Sequence, residues 1–138
     1  MALPKAREAR LFYRVAQQRL LDAQLLLGHG RTTGAVYLAG YAVECILKAL
    51  ILSRLTAKAR SAMAESFRGM RGHDFGWLKF AYFANHGESF PEDVTRAFER
   101  VRTWSTILRY QSKSVSQPSA ERFLQSAELL VQWAGRRL

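Results

Sequence analysis

The chain has 138 residues, of which 49% are apolar and 23% are charged, with nine glycines, three prolines and one cysteine. This composition fits one compact domain over residues 1–138 and excludes both a disordered chain and two ordinary domains. A single cysteine excludes a disulfide framework, and three scattered histidines argue against zinc. No phosphate-binding glycine loop or nucleophile elbow is present, so we predict neither a metal nor a cofactor.

The formal net charge is +10, from 21 basic and 11 acidic residues. Residues 1–72 hold 12 basic and four acidic side chains (12 − 4 = +8), whereas residues 73–138 hold nine and seven (9 − 7 = +2). A positive field of this kind attracts polyanions such as RNA, DNA, nucleotides or an acidic protein. The alternative is that the arginines serve only solubility.

Apolar residues recur with helical spacing along most of the chain. A first helix is predicted from about Ala6 to Leu27, where glycines follow. A second is predicted from about Thr33 to Leu55 and is apolar on two sides. Such a helix lies at the centre of a bundle or under a second subunit.

The rest of the chain also favours helices. Residues 56–72 predict a helical start and then a mobile loop. A third helix begins at Asp74 as its N-cap, and a fourth runs from about Pro91 to Leu108. A polar connection follows, and the last helix begins after Pro118. These elements predict an all-α, up-and-down antiparallel bundle of four long helices, with room for one short helix.

Three strings carry a family resemblance. Residues 35–50, AVYLAGYAVECILKAL, resemble the second-helix signature of HEPN domains. His73-Asp74-Phe75 followed by Leu78 is similar to the start of the family's next helix, and Leu108-Arg109-Tyr110 looks like its later RY pair. The resemblance implies a helical bundle that usually dimerises. It also implies one of several activities, because some HEPN proteins are ribonucleases or toxins and others bind nucleotides or accompany a nucleotidyltransferase.

The ribonucleases of this family carry an arginine and, a few residues later, a histidine near the start of a late helix. Arg68 and His73 match that pattern literally, but they precede the third helix. Arg109 stands in the expected place, yet no histidine follows it. The chain therefore departs from the ribonuclease pattern.

RNA cleavage without a metal needs a group that transfers a proton and a cation that balances the phosphorane charge. His73 and Arg68 are the predicted catalytic pair, with Arg71 or Arg109 as alternative sources of the cation. The alternative is that His73 and Asp74 only cap a helix and anchor a loop.

We predict ligand-binding roles for a further set. Arg109 and Tyr110 suit a clamp on a phosphate and a base, unless Arg109 pairs with Glu44 inside the bundle. Glu44 and Lys48 are spaced for a helical ion pair, which is the alternative to ligand binding there. The full set is Glu44, Lys48, Arg109, Tyr110 and Asp74.

Four residues on the second apolar side of the second helix are predicted to form a homodimer interface: Tyr37, Tyr41, Ile51 and Leu55. Glu44 and Lys48, near the middle of the most apolar segment, argue against a membrane span. The lone cysteine and the lack of an apolar leader in residues 1–8 predict a cytoplasmic location.

The sequence therefore predicts a HEPN-like module that binds nucleotide or RNA as a homodimer. It would be one half of a toxin–antitoxin system or the partner of a nucleotidyltransferase-like protein. The first alternative is a metal-independent ribonuclease toxin, and the second is a structural bundle without a ligand.

Overall fold

The computed structural model describes residues 6–138, except for the side chain of Arg109. The predictions for Arg109, and the part of the leader prediction that falls on residues 1–5, therefore lie outside the described residues. The described residues contain no strand, which confirms the all-α prediction. They form six α-helices: α1 (Arg7–Gly28), α2 (Thr32–Ser53), α3 (Ala57–Ser66), α4 (Phe75–Ala84), α5 (Glu92–Val101) and α6 (Gln117–Gly135).

The α2 helix is the centre of the bundle. It packs against α1 along its length and also contacts α4 and α6. It is long and apolar enough to cross a membrane, but 83% of its most apolar window is buried by the other helices. The sequence allowed a helix at the centre of a bundle or one covered by a second subunit. This burial confirms the central position.

A glycine turn sets α1 antiparallel to α2. Gly30 has a φ of 75°, in the left-handed region that glycine adopts without strain. In this turn the Arg31 amide donates to the Leu26 carbonyl oxygen at 2.9 Å, so the last turn of α1 is closed by the backbone. The predicted glycine stop is therefore confirmed.

The fourth helix is shorter than predicted. α5 ends at Val101, and the chain turns so that Trp104 is buried, with 8% of its surface exposed. Ser105 is extended and caps a 3₁₀ turn, Thr106–Tyr110, by accepting from the Ile107 amide at 3.2 Å. In the sequence the helical spacing of apolar residues continues through this corner, because Trp104 is buried in the core although it lies outside the helix.

Residues 56–72 are more ordered than the predicted mobile loop. Thr56 caps α3 by accepting from the Ala59 amide at 3.4 Å. Phe67 is then buried and packs edge-on against Phe12, with ring centroids 5.9 Å apart. A 3₁₀ turn, Met70–His73, leads into α4. The buried ring of Phe67 thus anchors this otherwise polar segment. The few apolar residues in 56–72 do not indicate such an anchor from the sequence.

The segment before α6 is tied to the start of α2. The Thr32 hydroxyl donates to the Val115 carbonyl oxygen at 2.6 Å, and the Val115 amide donates to the Thr33 hydroxyl oxygen at 3.0 Å. Ser116 then caps α6 by accepting from the Ser119 amide. These bonds fix the end of the predicted polar connection.

Gly40 lets Trp104 lie directly on α2, because a Cβ atom at residue 40 would overlap the indole ring. We expect Gly40→Ala to lower the free energy of unfolding by about 1–3 kcal/mol through overpacking, measured by urea denaturation. Gly28→Ala is the matched control, since nothing lies within 4 Å of its added Cβ. Equal effects of the two substitutions would contradict this account of Gly40.

Candidate functional site

Two charged residues are buried in the middle of α2. Glu44 and Lys48 are one helical turn apart and only 3% and 5% exposed. Lys48 Nζ lies 2.8 Å from Glu44 Oε2, so the predicted ion pair is confirmed. Buried charges are costly unless they are paired and hydrogen-bonded, and removing one partner leaves the other uncompensated. The ion pair therefore depends on neighbouring groups that satisfy the remaining hydrogen-bonding atoms of both side chains.

Aromatic rings enclose the Lys48 ammonium group. Its Nζ lies 5.5 Å from the ring centroid of Phe12 and 5.4 Å from that of Phe67. A cation over ring faces is attracted by their quadrupoles. These contacts stabilise the side chain of Lys48 in an apolar place, where it lies against one oxygen of Glu44.

His73 takes the other oxygen of this carboxylate. Its Nδ1 lies 2.7 Å from Glu44 Oε1, while 43% of its side chain is exposed. Because an ionised carboxylate only accepts, Nδ1 carries a proton, and in the neutral imidazole the lone pair is then on Nε2. Tyr41 packs edge-on against the imidazole, with centroids 6.4 Å apart. The buried ion pair thus fixes the tautomer and the orientation of an accessible histidine.

The backbone around His73 is tightly packed. Gly72 is buried, and a side chain there would collide with the carbonyl group of Phe67. Asp74 then caps α4 by accepting from the Trp77 amide at 3.1 Å, as predicted. Local structure on both sides therefore positions His73, so the helix-capping alternative and a functional role are compatible.

His73 borders a cleft of about 480 Å³ between the start of α4 and the corner after α5. Trp104 stacks on Phe75 at the cleft, with centroids 5.4 Å apart and ring planes 11° apart. Two exposed arginines, Arg71 and Arg102, contribute guanidinium groups. The cleft is lined by Met70, Arg71, His73, Asp74, Phe75, Arg102, Trp104, Ser105 and Thr106.

This arrangement suits an anionic ligand. Guanidinium groups bind phosphate through paired hydrogen bonds, and hydroxyl groups such as those of Ser105 and Thr106 donate to phosphate oxygens. A histidine with a free Nε2 can accept a proton from a bound hydroxyl. The described residues contain no group of three or more His, Cys, Asp or Glu side chains that could hold a metal ion.

The predicted site residues fall into two groups. Glu44, Lys48, His73 and Asp74 come together at or beneath the cleft. Arg68 does not line it, and its guanidinium instead lies 3.5 Å from Glu65 with 79% of the side chain exposed. Tyr110 is 75% exposed and also lies outside the lining.

Most of the residues that line the cleft, Arg102 and Trp104 among them, are not in the predicted set of site residues. Arg102 directly follows α5, and Trp104 lies within the longer fourth helix that the sequence predicts. Neither position carries a local signal, because the turn after Val101 alone brings them opposite His73. Arg71, the alternative cation two residues before His73, lines the cleft, whereas Arg68 does not.

The predicted dimer surface on α2 needs correction. Ile51 is completely buried within its own chain, so it cannot contact a second subunit. Tyr37 and Tyr41 are half-buried and pack on Trp104, with centroid distances of 6.1 and 5.1 Å. Leu55 is half-buried against the same core. The prediction is therefore wrong for Ile51, whereas for the partly exposed Tyr37, Tyr41 and Leu55 it stays a prediction.

Comparison with protein families agrees with this architecture. The family model described as the HEPN domain matches residues 9–138. No curated protein and no solved structure gives a significant match. Because the family match spans nearly the whole described chain, the protein belongs to the HEPN domain family. Members of this class are generally nucleotide-binding or ribonuclease-like.

Cys45 follows Glu44 in α2, and its buried thiol has a low reactivity. Burial first, and then the negative charge of Glu44, together raise the pKa of the thiol from 9.0 to about 12. We expect no alkylation by iodoacetamide at mildly alkaline pH in the folded protein and full alkylation in urea, measured by mass spectrometry. Equal labelling in both states would contradict this prediction.

The same pKa difference affects stability. The folded thiol keeps its proton above pH 9.0, whereas an unfolded thiol loses it there. The contribution of the protonated thiol to the free energy of unfolding is therefore complete below pH 9.0 and is lost as the pH rises toward 12. As the pH rises over this range, the free energy of unfolding of the wild type should fall relative to that of Cys45→Ala, so that the two values converge or cross.

Proposed function

We propose that the cleft beside His73 binds a phosphate-containing ligand, either a nucleotide or RNA. The observation that carries this proposal is His73, held by the buried carboxylate of Glu44 in a cleft that Arg71 and Arg102 also line. The net charge of +10 supports it, because a positive field gathers polyanions before any specific contact forms. Membership in a class that generally binds nucleotides supports it as well.

A pair of arginines associated with α5 separates cleft binding from diffuse attraction. Arg102 lines the cleft, lies 2.9 Å from Glu99 and has a side chain 58% exposed. Arg96 lies 2.7 Å from Glu92, is 59% exposed, and does not line the cleft. The two side chains therefore match in exposure and in type of ion pair.

We expect Arg102→Gln to weaken binding of a fluorescein-labelled single-stranded RNA roughly tenfold, since a charged hydrogen bond to phosphate is lost. The slope of log K against log salt concentration should also become less steep by about one unit, because one phosphate contact is lost. Arg96→Gln should have little effect. Fluorescence anisotropy, with ATP as competitor, measures both. Equal weakening in the two variants would assign the affinity to the overall field and contradict the cleft.

The second candidate function is RNA cleavage without a metal. The Glu44–His73 hydrogen bond favours it, since the neutral tautomer that donates through Nδ1 has its proton-accepting lone pair on Nε2. Nε2 would take the proton of a ribose 2′-hydroxyl as that oxygen attacks the adjacent phosphorus. The 5′-oxygen would leave with a proton from water, producing a 2′,3′-cyclic phosphate, while the arginines balance the phosphorane charge.

Incubation of a mixed RNA pool with the protein in EDTA tests this reaction. His73→Ala should lower the cleavage rate about 100-fold or more, because the proton acceptor is removed. The control is His29→Ala, at the C-terminal cap of α1 and outside the cleft. Cleavage that persists in His73→Ala would overturn the assignment, and binding without cleavage in the wild type would leave the first function alone.

We propose the wider context from the resemblance to HEPN proteins that act with a partner protein. The proposed partner is a nucleotidyltransferase-like or antitoxin protein in the cytoplasm, and its co-purification with the tagged chain is the test. A structural bundle without a ligand remains the competing function. It predicts that neither RNA nor ATP changes the melting temperature.

A further inference from the structure

A second groove lies on the other side of the corner that follows α5. It has two adjoining parts of about 350 and 320 Å³, and both parts are lined by Val36, Arg100 and Phe123. We call this surface the α5–α6 groove. Its larger part also shares Trp104 and Ser105 with the cleft beside His73. The cleft and the groove are therefore neighbours that meet at this corner.

The floor of the α5–α6 groove is apolar and partly aromatic. Val36 is buried, and the ring of Phe123 is half-buried against the core. Exposed polar side chains, Gln111 and Ser119, lie at the edges of the groove. This lining suits an unpaired base, which has an apolar face to pack on a ring and an edge that forms hydrogen bonds.

The charges that line the groove are all positive. Among the described residues they belong to Arg100 of α5 and Arg122 of α6, and both side chains are exposed. Neither guanidinium forms an ion pair with a described carboxylate. Arg122 donates only to the Ser119 hydroxyl oxygen, at 3.3 Å. Two cations without a counter-charge therefore face the same apolar floor, and an anion from outside can bind them.

The cleft and the groove repeat the same chemistry along one path. Arg71 and Arg102 line the first, Arg100 and Arg122 line the second, and Ser105 lies at their common edge. A single strand carries one phosphate for each nucleotide and presents unpaired bases beside the phosphates, so it matches this repeat. A free nucleotide fills only one of the two sites, and an acidic peptide lacks the regular alternation of anion and flat ring.

We propose that the α5–α6 groove is a second binding subsite, which holds the unpaired nucleotides next to the one bound in the cleft. Arg100 and Arg122 bind their phosphates, and a base packs on Phe123. The preferred ligand is then a single-stranded polynucleotide and not a free nucleotide. This inference rests on the proposed function, because the cleft must itself bind a phosphate-containing ligand.

Arg122→Gln tests the groove separately from the cleft. It should weaken binding of a fluorescein-labelled single-stranded RNA of about ten nucleotides severalfold, because one phosphate contact is lost. The ratio of its affinity for the strand to its affinity for ATP should fall as well, whereas Arg102→Gln in the cleft should weaken both ligands. Fluorescence anisotropy, with ATP as competitor, gives the two affinities.

Arg14→Gln is the matched control for Arg122→Gln. Arg14 is also an exposed helical arginine without an ion pair to a described carboxylate, and it lines neither the cleft nor the groove. If Arg102→Gln weakens binding and Arg122→Gln behaves like Arg14→Gln, the groove is not a subsite, and the function of the cleft stands. If neither Arg102→Gln nor Arg122→Gln weakens binding, both proposals fail. A polyglutamate peptide that binds as tightly as the strand, with the same loss in Arg122→Gln, would assign the groove to an acidic peptide and overturn the subsite.

Photo-cross-linking locates the strand directly. With 4-thiouridine at successive positions of the strand, some positions should cross-link to residues 70–74 at the cleft. Positions a few nucleotides away should cross-link to Phe123 and its neighbours in α6, as identified by mass spectrometry. Arg122→Gln should reduce the second set more than the first. Cross-links confined to the cleft, or equally frequent on α1, would contradict the path through the groove.

Discussion

The carboxylate of Glu44 sits where three parts of the bundle meet, and it accepts hydrogen bonds from both sides. Lys48 binds one oxygen from the next turn of α2, and His73 binds the other from the turn before α4. Phe12 of α1 and Phe67 after α3 close over the ammonium group. A buried anion of this kind has few stable arrangements, so it specifies how the segments pack. The same bond orients the histidine of the cleft.

A close approach of two segments provides the opposite wall. Trp104 can lie on α2 only because residue 40 has no Cβ, and its indole stacks on Phe75 at the start of α4. α5 ends at Val101, and the turn between it and Trp104 brings Arg102 and Ser105 to the cleft. The cleft is thus a consequence of core packing, while its open side carries cations. Rigid support beneath exposed polar groups is the arrangement that ligand binding requires.

Local features of the fold could be predicted where neighbours in sequence are neighbours in space. The Glu44–Lys48 pair follows from their spacing of four residues, and the Asp74 cap follows from its place before an apolar run. The end of α5 could not, because Trp104 continues the helical spacing after the helix has stopped. The partner of His73 is 29 residues away, and no spacing rule connects it to Glu44.

The sequence by itself determined an all-helical chain, its family, the glycine turn after α1 and the ion pair within α2, because each depends on residues within a few turns of one another. The tertiary structure decided which of several arginines lines the cleft, which oxygen of Glu44 His73 binds, and which apolar faces stay open. Ile51 and Leu25 show the difference: both suit a buried helix face, but α2 is surrounded by its own chain and the outer side of α1 is not. Burial depends on what the rest of the chain covers, and helical periodicity does not contain that information.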